Sequence, residues 1–173
     1  MKKGDEKMKS AIALVAMVAG LAWGDGVEGT LDAQVLATGG GRVILLSPKG
    51  DVVWEQKAGN VHDAWLLPNG NVLFADGNIT EVTRDHKVVF EYKPENQKGG
   101  GAYSCQRLPN GNTVVGENAS GRVVEVDPSG KVVFSFMTRY GKTDDHHHMR
   151  MVRKLSNGNY LVCHSQANIV REY

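Results

Sequence analysis

The chain has 173 residues with 20 Lys and Arg against 19 Asp and Glu, a formal net charge of +1, and 7% aromatic residues. So even a balance leaves no electrostatic footprint for nucleic acid or an anionic membrane surface, and neither is expected as a partner. The length suits one ordinary domain, and 21 glycines beside abundant valine point to short strands joined by tight turns.

Residues 1–24 are set apart from the fold. Lys2, Lys3, Lys7 and Lys9 make a basic start, Ser10 to Ala22 is uncharged and apolar, and Ala22-Trp23-Gly24 offers a small-x-small cleavage site. This is the layout of a secretory signal peptide, cleaner when read from Met8. The thirteen apolar residues from Ser10 to Ala22 fall short of the roughly 20 that span a bilayer. Export to the periplasm or the extracellular space is therefore expected, with no integral span after cleavage. Residues 25–33 read as a linker.

From residue 34 onward one pattern returns. Gln34 to Thr38 predicts a strand, closed by Gly39-Gly40-Gly41, and a hairpin follows from Arg42 to Trp54 around Ser47-Pro48-Lys49-Gly50. Asp63 to Leu67 then leads into Leu67-Pro68-Asn69-Gly70-Asn71, and strands are predicted at Val72 to Ala75, Ile79 to Thr83 and Lys87 to Tyr92. The pentapeptide returns as Leu108-Pro109-Asn110-Gly111-Asn112 and as Leu155-Ser156-Asn157-Gly158-Asn159, at intervals of 41 and 47 residues. Asn-Gly between alternating apolar runs is a strong hairpin signal, read here as a turn in which Asn and Gly both tolerate positive φ. The second hairpin also returns, as Gly121 to Phe134 around Asp127-Pro128-Ser129-Gly130, and in degraded form as Gly77 to Phe90.

Repeats of this period built from strands predict propeller blades. The expected architecture is all-β, with four-stranded antiparallel blades. Partial blade 34–57 supplies strands B, C and D; blades 61–93 and 101–138 are whole; partial blade 146–173 supplies A, B and C. These fourteen strands make about three and a half blades, expected to be part of a six- to eight-bladed ring. Trp54, Phe90 and Phe134 form an aromatic column expected to dock one blade on the next. Cys105 and Cys163 fall in small-residue columns (with Ala64 and Val152, and with Ala75 and Gly116), which predicts packed free thiols rather than a disulfide.

Chemistry-bearing side chains are few. His62 opens strand A of the first whole blade, and His146-His147-His148 precede strand A of the last, after Asp144-Asp145. Innermost strands line a propeller's channel, so these histidines are candidates to meet at its mouth. In an extended chain His146, His148 and Arg150 would share one face, and His147, Met149 and Met151 the other. His146 and His148 are candidate zinc or copper ligands, with Asp63, Asp144 or Asp145 as oxygen donors, but the spacing matches no zinc pattern and an exposed polar loop is the leading reading. His86 replaces Gly in a turn column and should face solvent. Glu81, Glu125 and Glu172 recur in strand C as a structural repeat. Asp76, Glu117 and His164 recur at the end of strand B, where water-facing strand ends are expected. Asn78-Ile79-Thr80 and Asn118-Ala119-Ser120 have the form of glycosylation sequons at B–C turns.

Val124-Glu125-Val126-Asp127-Pro128-Ser129-Gly130-Lys131-Val132-Val133-Phe134 resembles the repeat of the pyrroloquinoline-quinone-like (quinoprotein) β-propellers. His62-Asp63-Ala64-Trp65-Leu66-Leu67-Pro68-Asn69-Gly70-Asn71 and Gln106-Arg107-Leu108-Pro109-Asn110-Gly111-Asn112 are similar to repeats of arylsulfotransferase-like propellers. The resemblance runs from Gln34 to Tyr173 and concerns blade scaffolding. It implies, on the arylsulfotransferase side, a channel histidine carrying a sulfuryl group, for which His62, His147 and His148 are the nearest counterparts, with Arg150 or Arg139 as anion partner. On the quinoprotein side it implies the quinone cofactor and calcium, but the chain has no adjacent cysteines and no clear calcium cluster, so no cofactor is expected. The leading expectation is an exported binding or scaffold module that meets a small molecule, glycan or protein at the propeller face; the alternative is an arylsulfotransferase-like enzyme.

Overall fold

Each Leu-x-Asn-Gly-Asn stretch closes a hairpin in the computed structural model, which describes residues 32–138 and 148–173. The turn differs from the expected one. Gly70, Gly111 and Gly158 have φ of 84, 89 and 94°, whereas the asparagine before each of them is not left-handed. Gly70 N donates to Leu67 O at 2.8 Å and Leu67 N to Asn71 O at 2.8 Å, which is a type I turn followed by a left-handed glycine. Asn69 is selected for its side chain: Oδ1 accepts from Asn71 N at 3.0 Å, and Asn110 and Asn157 do the same for Asn112 and Asn159. The second hairpin uses the same device, with Gly50 and Gly130 both at φ 88° and His86 at φ 67° in the glycine's place.

The strands are β1 (Val35–Gly39), β2 (Arg42–Leu46), β3 (Val52–Lys57), β4 (Asp63–Leu66), β5 (Val72–Ala75), β6 (Ile79–Val82), β7 (Val88–Tyr92), β8 (Ala102–Arg107), β9 (Thr113–Glu117), β10 (Arg122–Val126), β11 (Val132–Met137), β12 (Met151–Lys154), β13 (Tyr160–His164) and β14 (Ile169–Glu172). They form four antiparallel meanders, β1-β2-β3, β4-β5-β6-β7, β8-β9-β10-β11 and β12-β13-β14, called sheets one to four below. The expected division of strands is thus the observed one. The leading strands β4, β8 and β12 neighbour one another in turn, so equivalent residues of successive sheets come side by side.

Packing lies between the sheets. Val43, Leu45 and Trp54 of sheet one bury Val72, Phe74 and Val82 of sheet two. Leu73, Ile79, Phe90 and Tyr92 of sheet two meet Ala102, Cys105, Val115 and Val124 of sheet three. Leu108, Val114 and Val123 of sheet three meet Met149, Val152, Tyr160 and Val162 of sheet four. The aromatic column docks sheets as expected at Trp54 and Phe90. Phe134 is half exposed at 47% but still stacks on Tyr160 of the next sheet, with centroids 5.8 Å apart.

Four expectations are corrected. The strand-B ends do not all face water: Glu117 and His164 are buried. Glu117 accepts from Tyr92 Oη at 2.5 Å and from Ser120 Oγ at 2.9 Å, and pairs with Arg122 at 3.3 Å. Alternation does not run back through residues 148–150, because β12 begins only at Met151; Met149 is fully buried while Met151 is exposed, so the two do not share a face. Asn118 is buried, donating to Gly99 O and accepting from Met149 N, so its sequon has no accessible amide. Cys105 is a buried free thiol, but Cys163 is only half-buried, since the face of sheet four that carries it is partly open.

Candidate ligand-binding face

Counting back from the leucine of each Asn-Gly turn, His62, Tyr103 and Arg150 hold the same position, five residues before Leu67, Leu108 and Leu155. The side-by-side leading strands bring all three together. The His62 imidazole stacks on the Tyr103 ring with centroids 3.8 Å apart at 26°, and the Arg150 guanidinium lies over the same ring at 4.8 Å. Sheets two, three and four each contribute one member. His62 is exposed, Arg150 half-buried and Tyr103 buried at 2%.

The backbone is shaped to seat this phenol. Tyr103 Oη donates to Gly99 O at 2.9 Å across the 3-10 turn Lys98–Gly100. Gly100 sits at φ 100°, and a Cβ there would overlap the phenol, which explains a glycine at this position. His62 is fixed by its own backbone, N donating to Ala75 O at 2.8 Å, and Arg150 by N donating to Cys163 O at 3.0 Å.

One residue further along the strand lies a clamp that holds the column in register. Asp63 accepts from Cys105 N at 3.0 Å and Ser104 Oγ at 3.2 Å in sheet three, and from Arg153 Nη1 at 2.9 Å and Nη2 at 3.1 Å in sheet four. Ser104 Oγ also accepts from Val152 N at 3.0 Å. Trp65 Nε1 donates to Cys105 O at 2.7 Å, and Arg153 lies over the Trp65 ring at 4.9 Å. The bidentate geometry is the strong form of an Arg–carboxylate pair. The thiol of Cys105 within this clamp is pushed well up, by burial first and by Asp63 second. It is therefore held as a neutral packing group rather than a nucleophile.

A third layer repeats at the end of the leading strands. Glu81 accepts from Asn71 Nδ2 at 2.7 Å in its own sheet and from Arg107 Nη2 at 2.6 Å in the next. Glu125 pairs with Lys154 and accepts from Tyr160, both of sheet four. Burial works to raise the Glu125 carboxyl, but the hydrogen bonds from Lys154 and Tyr160 prevail and hold it below its ordinary value. The glutamate column is thus a structural repeat, as its recurrence indicates.

Of the sequence candidates, the structure unites His62 with Arg150. His146, His147, Asp144, Asp145 and Arg139 lie outside the described residues. His148 is buried at 4%, and its carbonyl oxygen accepts from His164 Nδ1 at 3.1 Å. That bond fixes the His164 tautomer, leaving Nε2 against the Tyr173 hydroxyl at 2.9 Å. His86 is exposed as expected, its Nδ1 2.9 Å from Gln56 Oε1 and its ring stacked on Trp54 at 5.7 Å. Among the described residues no group of three or more His, Cys, Asp or Glu is placed to hold a metal ion, and no helix is long and apolar enough to cross a membrane. Sequence reasoning missed Tyr103, although counting back from the turns would have placed it in the His62 column.

No family model and no curated protein matches the chain. Solved structures do. A protein of unknown function from Bacteroides caccae superposes with a TM-score of 0.63 at 22% identity, over 83% of this chain and 54% of that one. A catalytically inactive histidine-to-alanine virginiamycin B lyase from Staphylococcus aureus, with quinupristin, gives 0.55 at 15% identity over 76% and 48%. The WD40 β-propeller domain of Doa1 gives 0.62 at 19% identity over 80% and 46%. The chain thus spans about half the length of these structures. At such identities the likeness is one of fold, and the fold is a β-propeller, built here from four consecutive sheets.

Proposed function

We propose that the chain belongs to an exported β-propeller binding module that takes an anionic ligand, a small molecule or glycan bearing carboxylate or sulfate, at its His62–Tyr103–Arg150 face. The observation that carries this reading is the convergence of an imidazole and a guanidinium on one phenol from the same position of three successive sheets. A planar guanidinium over an aromatic ring suits bidentate recognition of carboxylate or sulfate, and an aromatic ligand can extend the stack.

A second reading is enzymatic, in line with the resemblance to arylsulfotransferase-like propellers. It is favoured by the exposed His62, which lies on the same ring as a cation able to stabilise a transferred anionic group. That a histidine-to-alanine change inactivates a propeller lyase of similar fold shows only that such folds can depend on a histidine.

One probe separates the readings. 4-Nitrophenyl sulfate is titrated into the signal-cleaved protein, with nitrophenol release followed in the presence of a phenol acceptor. Binding that weakens at least roughly tenfold in Arg150→Ala and in His62→Ala, without release, supports the binding module. Release abolished by His62→Ala supports the enzyme. Binding equal in both variants and the parent refutes the site.

A further inference from the structure

Two members of the ligand face, Tyr103 and Arg150, are each preceded by a buried residue whose backbone N–H must find a partner. Ala102 precedes Tyr103, and its N donates to Gly77 O at 2.9 Å, a bond made by backbone alone. Met149 precedes Arg150 and is 0% exposed, so an unmet N–H there would be costly. Gly77 and Asn118 stand at the same place in sheets two and three, six residues after Asn71 and Asn112 of their turns. In sheet three the acceptor is therefore a side chain: Met149 N donates to Asn118 Oδ1 at 3.2 Å.

The other half of the carboxamide reaches the seat of the phenol. Asn118 Nδ2 donates to Gly99 O at 3.2 Å, the same carbonyl that takes the Tyr103 hydroxyl at 2.9 Å. Asn118 N donates to Gly101 O at 2.9 Å, so the segment before β8 is held at two points. Asn118 itself is 0% exposed. An N–H on one side and a carbonyl on the other call for a group carrying both an acceptor and a donor, and they fix which way the carboxamide points. An ionised aspartate would meet Met149 N but not Gly99 O. Arg150 N donates to Cys163 O within sheet four, whereas Asn118 brings its bond across from sheet three.

We propose that Asn118 is the positioning residue of this face. It ties the carbonyl that seats Tyr103 to the lead-in of Arg150, and so holds the guanidinium over the phenol before any ligand arrives. This role rests on the ligand reading of the His62–Tyr103–Arg150 face. Asn118 touches no ligand and acts through the backbone at Gly99 and Met149. Its value is preorganisation, since ordering one long side chain only on binding lowers affinity about three- to tenfold.

The test compares the parent protein with Asn118→Ala, with Asn118→Asp, and with Tyr92→Phe, which removes the neighbouring buried bond from Tyr92 Oη to Glu117. Two quantities are read: the NMR shifts of the Arg150 side chain, displaced by the Tyr103 ring current, and the affinity for 4-nitrophenyl sulfate. Both Asn118 variants are expected to move the Arg150 signals toward random-coil values and to weaken binding about three- to tenfold. Tyr92→Phe should change neither, which separates positioning from a general loss of stability. The near-isosteric Asn118→Asp carries the test if Asn118→Ala does not fold. Arg150 signals that stay displaced in both Asn118 variants, signals lost equally in Tyr92→Phe, or unchanged affinity in a parent that binds the ester overturn the proposal. The ring-current shift needs no ligand, so a parent that binds no ester refutes the ligand reading alone, and the Arg150 signals still decide the role of Asn118.

Discussion

Replacing Asp63 with alanine should be the most damaging single polar change in the described residues. The carboxylate accepts four hydrogen bonds from two neighbouring sheets, and the side chains of Asp63 and Arg153 are only 11% and 22% exposed. Removing it leaves the Arg153 guanidinium beside Trp65 with only the neutral acceptors Ser104 Oγ and Val152 O, and Cys105 N–H without this acceptor. Breaking a buried ion pair from one side costs about 3–5 kcal/mol, because the surviving charge stays desolvated. For a chain of this size that corresponds to a fall in Tm of roughly 10 °C or more. Denaturant unfolding of Asp63→Ala, Arg153→Met and the double variant measures both the loss and the coupling, expected at about 1–3 kcal/mol. A loss below about 1 kcal/mol for Asp63→Ala, in the range of exposed pairs, would refute the claim that this clamp knits three sheets.

Three further outcomes are expected. Burial, and secondarily Arg171, lowers the affinity of His164 for a proton below its ordinary value of 6.5, so the folded state binds fewer protons than the unfolded chain. Its contribution is fully present above pH 6.5 and is lost as pH falls through the lower folded value; a stability profile with no difference between the parent and His164→Gln in that window contradicts the assignment. Gly101 sits at φ 71°, and a Cβ there would overlap the Gly77 carbonyl oxygen, so Gly101→Ala should cost about 1–3 kcal/mol in unfolding experiments while Gly50→Ala, in open space at φ 88°, costs less. Cys105 is wholly buried and Cys163 half-buried, so a thiol reagent should count one fast and one slow cysteine in the native protein and two fast ones in denaturant; two slow thiols would contradict the open face of sheet four.

The scaffold was legible because its determinants are local. Glycine at fixed offsets and period-two alternation between turns mark every strand and the division into sheets. The turn type was misread because Asn-Gly carries two signals, positive φ at Asn or an asparagine side chain that caps the turn, and only the side chain's partner at Asn71 decides between them. Residues that act between sheets were harder. Glu117 and His164 look like polar strand ends along the chain, yet the tyrosines that bury them, Tyr92 and Tyr173, come from a neighbouring sheet and from the adjoining strand's end. Tyr103 escaped notice because a lone tyrosine in an apolar strand reads as core; only its stacked neighbours from sheets two and four make it part of a site. The histidine run drew attention by its composition, yet the described member, His148, is buried and bonded through its backbone.

In the proposed function the His62–Tyr103–Arg150 column, not the repeated turns, meets the ligand. Mapping amide and aromatic NMR shifts during titration with 4-nitrophenyl sulfate tests it most directly. The largest changes are expected at His62, Tyr103 and Arg150, with the turn residues Asn69, Asn110 and Asn157 unmoved. Changes centred on those turns, or on none of the three column residues, would contradict it.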